Sequence, residues 1–113
     1  MRVAIACQKP RLASDVAAHF GQAPAYIIYD TKSETVTKFA SGSRAKMPRD
    51  GGLNVAVTLL AANVDAVIAG RFGHRVAEFF DGADVTLSRV SSMAGSCALD
   101  QFLRQREDRS HLA

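Results

Sequence analysis

Histidine stands close to glycine twice in this sequence, as His19 in "HFGQAP" (19–24) and as His74 in "GRFGHR" (70–75). An imidazole with an ordinary pKa of about 6.5 can ligate a metal, move a proton or carry partial positive charge. It can equally well brace a turn. Cys7, at the end of "RVAIAC" (2–7), offers a soft ligand for copper or iron, or else is a buried strand-end thiol. Met47 and Met93 are either soft contacts or gap fillers. No set of His, Cys and carboxylate residues has the spacing of a closed zinc site. The usual catalytic signatures are missing too: there is no GxSxG, Walker A or GxGxxG sequence.

The elements that must position these residues follow from apolar periodicity. "RVAIAC" (2–7) predicts a buried strand, and "SDVAAHF" (14–20) a turn or two of helix capped by Ser14. "AYIIYD" (25–30) and "TVTKFA" (35–40) predict an antiparallel hairpin around "TKSE". "LNVAVTLLAAN" (53–63) predicts a helix closed by Asn63, "DAVIAG" (65–70) a central parallel strand, and "HRVAEFFDG" (74–82) a helix ended by Gly82. "ADVTLS" (83–88) predicts the last strand. Residues 92–108 predict a final helix capped by Ser91 or Ser92, in which Cys97 is a small core residue; residues 109–113 follow as a frayed tail.

This β-β-β-α-β-α-β-α order predicts a single α/β domain over 1–113. Its five-stranded mixed sheet has the order 3-2-1-4-5, with strand 2 antiparallel and helices on its flanks. On that order one sheet edge gathers the C-terminal ends of strands 1, 3, 4 and 5, where ligands of such sheets bind. Five segments meet there: 7–12, 19–24, 41–52, 70–75 and 88–93. They carry Lys9, Arg11, Arg44, Lys46, Arg49, Arg71, Arg75 and Arg89, which are eight of the fourteen Lys and Arg residues. Glycine-rich loops and helix starts add backbone N–H groups, which favour an anion. The expected contacts are Lys9, Arg11, His19, Phe20, Gly21, Arg44, Lys46, Arg49, Gly51, Gly52, Arg71, Gly73, His74 and Arg75.

Composition narrows the function. A net charge of +3 splits into +4 over residues 1–50 (eight basic, four acidic) and −1 over 51–113 (six basic, seven acidic). That points to a localised anion-attracting region rather than a nucleic-acid platform. A nuclease using two metal ions wants carboxylates at strand ends, and the first strand has none. No run approaches the roughly 20 apolar residues of a membrane span, and the opening lacks a signal-peptide core, so the expected location is the cytoplasm.

"RVAIAC", "HFGQAP" running into "AYIIYD", "VDAVIAGRFG" (64–73) and the final helix resemble the dinitrogenase iron–molybdenum cofactor biosynthesis family. That family takes in the NifX- and NafY-like accessory proteins and the stand-alone molybdenum–copper orange proteins. The resemblance implies a ribonuclease H-like fold and a non-enzymatic protein that binds or carries a preformed, anionic molybdenum-containing metal–sulfur cluster. The cluster is of the molybdenum–copper sulfide or iron–molybdenum type. The resemblance also implies a protein that donates or accepts the cluster. It makes His19 a cluster contact, with Cys7 or His74 as further candidate metal ligands. Family members often have a small uncharged residue where "GRFGHR" places Arg71, and the cationic loop suits an anion held by electrostatics. The same edge would also serve a regulatory module binding phosphate or nucleotide, or, against the missing carboxylates, a ribonuclease H-like nuclease.

Overall fold

Every residue from Val3 to Cys7 is fully buried, as a strand must be when both faces of its sheet are covered. This strand, β1 (Arg2–Cys7), is the middle of a five-stranded sheet in the computed structural model, which describes residues 1–40 and 51–112. On one side β1 pairs antiparallel with β2 (Ala25–Asp30), whose outer neighbour is the antiparallel β3 (Thr35–Ala40). On the other side it pairs in parallel with β4 (Ala66–Ala69), and β4 in parallel with β5 (Thr86–Arg89). The order β3-β2-β1-β4-β5 is the one expected. Register places Cys7 opposite Ala25, Ala25 opposite Ala40, and Ala69 opposite Arg89. These pairs form the predicted edge.

Alternation along the strands supplies two cores. Ala4, Ala6, Tyr26, Ile28, Val67 and Ala69 face α1 (Gly51–Ala61) and α2 (His74–Gly82). Val3, Ile5, Cys7, Ile27 and Ile68 face Ala98, Leu99 and Phe102 of α3 (Gly95–Leu112). The result is a sheet with helices on both faces. Among the described residues no helix is long and apolar enough to cross a membrane.

Turn chemistry fixes the connections. Asp30 accepts a hydrogen bond from the Lys32 N–H at 2.9 Å, and Glu34 takes the left-handed φ of 55° that closes the hairpin. The Lys32 N–H, foremost, holds the Asp30 carboxyl below its usual range; Ser33 N–H and Arg2 add to that. Asn63, with φ 63°, closes α1 as expected. At the end of α2 the left-handed residue is Asp84 (φ 60°), not Gly82. Val85 N–H and Ala83 N–H both reach back to the Phe80 carbonyl, and this delays β5 to Thr86 rather than residue 83.

Three other expectations change. Residues 14–19 are not helical: Val16 N–H bonds the Met93 carbonyl and Ala17 N–H the Ala6 carbonyl, so remote partners displace the expected helix and a single 3-10 turn follows at Phe20–Gln22. Ser14 is no cap; it is nearly buried, and its hydroxyl accepts from Lys9 N–H at 2.9 Å. The last helix starts at Gly95 and extends past 108 to Leu112, and Cys97 is exposed on it rather than packed in the core.

Candidate functional site

The edge is built around a crossing of two chain segments. Gly70, just after β4, donates its N–H to the Ala17 carbonyl at 3.0 Å, and Phe20 N–H reaches the Arg71 carbonyl at 2.8 Å. A Cβ at position 70 would stand 2.7 Å from the Ala18 carbonyl oxygen, so only glycine allows this approach. The crossing sets the His19 corner beside the loop between β4 and α2.

Beneath it lies an aromatic cluster. Phe20 is fully buried, with ring centroids at 5.4 Å from Tyr26, 5.5 Å from Phe72 and 5.7 Å from Phe80. The Tyr26 hydroxyl donates to the Phe20 carbonyl, and burial pushes the phenol up to about 12. Phe20 therefore anchors the corner from below, and its side chain is not the surface contact expected. His19, its neighbour, is exposed. In "RFGHR" only Phe72 is buried, while Arg71, Gly73, His74 and Arg75 are exposed around it.

The loop after β1 completes the surface. Gln8 N–H bonds the Asp15 carbonyl, and turns at Arg11 and Ser14 fold the loop on itself, leaving Lys9 and Arg11 exposed. This loop also occupies the start of α3: Gly95 N–H goes to the Ser14 carbonyl at 2.7 Å and Ser96 N–H to the Leu12 carbonyl at 2.8 Å. These two donors are therefore taken and do not serve an anion. Gly51 and Gly52 open α1. Arg44, Lys46, Arg49 and Met47 lie outside the described residues.

The candidate metal ligands diverge. Cys7 is buried with its thiol 3.6 Å from the Ile5 carbonyl, and burial raises its pKa to about 11. The buried strand-end thiol is therefore the one of its two readings that the structure describes. Met93 is half-buried and packs against the core beside α3. His74 pairs with Glu78 one helical turn on, at 3.0 Å and with both side chains exposed. Among the described residues no group of three or more His, Cys, Asp or Glu could hold a metal ion.

Arg89 belongs to the edge but was not among the expected contacts. Its guanidinium carbon sits 5.6 Å from the centroid of the Phe72 ring. With His74 it also lines a groove of about 690 Å³ between α2 and β5. Alternation in "TLSR" was the available signal, because it sets Arg89 on the same face as Leu87, which packs against the α1–α2 core.

A family model described as dinitrogenase iron-molybdenum cofactor matches residues 1–105. The chain belongs to that family. Two solved structures are similar over nearly the whole chain. The apo form of the orange protein from Desulfovibrio gigas shares the fold with a TM-score of 0.85, at 19% identity over 92% of this chain and 88% of that one. A putative NifB protein from Thermotoga, described as belonging to the DUF35 family, superposes with a TM-score of 0.79. It is 30% identical over 93% of this chain and 89% of its own. No curated protein matches the sequence.

Proposed function

We propose that the chain is a non-enzymatic carrier of an anionic, molybdenum-containing metal–sulfur cluster, seated at the edge where β1, β4 and β5 end. Family membership supports handling of an iron–molybdenum cofactor or a related cluster. The observation that carries the reading is the chemistry of the edge. Lys9, Arg11, Arg71, Arg75 and Arg89 are exposed on it, whereas the described residues offer no metal-holding group of three ligands. A preformed cluster needs to be neutralised, not assembled, and cations on a fixed loop frame do that. Charge-assisted hydrogen bonds contribute about 1.5–3 kcal/mol each, so a few suffice for a multiply charged anion.

His19 touches the cargo directly in this reading. A second protein donates or accepts the cluster. The molybdenum–copper sulfide cargo of an orange-protein-like carrier is the version preferred here. The test is reconstitution of the apoprotein with tetrathiomolybdate and copper(I), alongside isolated iron–molybdenum cofactor, followed by gel filtration. Visible absorption and molybdenum co-eluting with the chain are expected from the first mixture. Loss of the metals from the protein peak in both mixtures, with calorimetric binding of ATP or phosphate instead, would replace the carrier by a nucleotide or phosphate module.

A further inference from the structure

Resting on the carrier reading, we propose that Arg89 makes the edge prefer sulfur-rich molybdenum anions to small oxyanions, and that Phe72 is its positioning residue. Arg89 ends the edge strand β5 with its guanidinium 5.6 Å from the Phe72 ring centroid, inside the roughly 6 Å reach of a cation–π contact. The ring cannot drift, because Phe72 is itself buried and rests 5.5 Å from Phe20. No ion pair with a carboxylate is found for Arg89 among the described residues. What orients it is an apolar platform, which covers part of the guanidinium surface and leaves N–H groups available to a ligand. His74 of the basic loop lines the same groove, with the carboxylates of Glu78, Asp81 and Asp84 along its α2 side; Arg89 stands where that groove meets the basic loop.

The chemistry of the cation sets the preference. A guanidinium is planar and weakly hydrated, whereas an ammonium is a compact, strongly hydrated point charge. Thiomolybdates are large and polarisable and shed water readily. Molybdate and phosphate hold theirs tightly. An oriented guanidinium beside an aromatic ring therefore gains more from a sulfur-rich anion than the ammonium of Lys9 does.

The test titrates the full chain with tetrathiomolybdate alone and with molybdate alone at fixed ionic strength. Arg89→Lys keeps the charge and is expected to cut the preference for tetrathiomolybdate by about two- to fivefold, the fold-change equivalent of an exposed cation–π contact. Molybdate affinity should move less than that. Phe72→Leu should reproduce the loss and Phe72→Tyr should restore the preference; a merely structural Phe72 would lower the melting temperature and leave the ratio of affinities untouched. An unchanged ratio in Arg89→Lys overturns this inference and leaves the carrier reading standing. Wild-type protein that binds neither anion, nor a copper-containing or iron-containing cluster, overturns both.

Discussion

Cys97 loses the core role that the sequence suggests for it, and Cys7 takes the buried one of its two readings. The thiol in an apolar helix pattern is exposed, and the thiol at a strand end within reach of the ligand edge is enclosed. Cys97 should react with a disulfide reagent at the rate of a free thiol, and Cys7 only as fast as the protein opens; two equally fast thiols would contradict the burial of β1. Phe20 makes the same point about the histidine corner. Truncating it to Ala should cost about 3–5 kcal/mol in denaturant unfolding, the range for a buried Phe, because it removes the centre of an aromatic cluster. A loss under 1 kcal/mol would return Phe20 to the surface. The corner's sequence carried both possibilities, since a His-Phe pair shows neither which ring goes inward nor what lies beneath it.

At the scale of elements, what could be read was local and what could not was remote. β1, β2 and β3 stand where their apolar runs begin and end, and Asn63 closes α1 as its residue type suggests. Residues 14–18 contain nothing that announces Met93 or Ala6, yet bonds to those two residues decide their conformation. The same blindness hid the occupied N–H groups at the start of α3 and the delayed start of β5. The Gly70 crossing gives the sharpest element-level prediction. Gly70→Ala must push against the Ala18 backbone and should destabilise by about 1–3 kcal/mol, the range for overpacking. Gly73→Ala, where a Cβ meets nothing within 4 Å, should stay within about 0.5 kcal/mol of wild type as an unencumbered surface change. Thermal or urea unfolding of the pair checks the contrast, and equal stabilities would remove the crossing from the account.

For the molecule as a whole, two buried acids set an alkaline limit. The fold favours the protonated forms of Cys7 and Tyr26, raising them from ordinary values of 9.0 and 10.0 to about 11 and about 12. That contribution is complete below pH 9. It erodes as the unfolded chain begins to ionise, and is gone once pH has risen through the folded values. The urea midpoint should therefore hold from pH 7 to 9 and fall from 9 to 12. Cys7→Ala should flatten the part of the fall between 9 and 11; an identical slope in that variant would show that the thiol is not the group involved. The sheet order was legible because a hairpin followed by alternating helices and strands leaves few right-handed, uncrossed topologies. That order alone placed most of the basic loops at one edge. What lies beneath their side chains was not legible: alternation sets Arg89 on the face of Leu87, but nothing in the spacing shows that Phe72 stands under its guanidinium.

If cations hold an anionic cluster at this edge, reversing charge there must release it. Molybdenum per chain after gel filtration should be compared for wild type, Arg11→Glu/Arg71→Glu, and Lys32→Glu/Arg104→Glu. Both pairs are exposed and change the net charge equally, but Lys32 sits in the hairpin turn and Arg104 along α3. The Arg11/Arg71 pair should lose most of its bound molybdenum while the Lys32/Arg104 pair keeps it. Equal retention, or equal loss, would contradict holding by these cations.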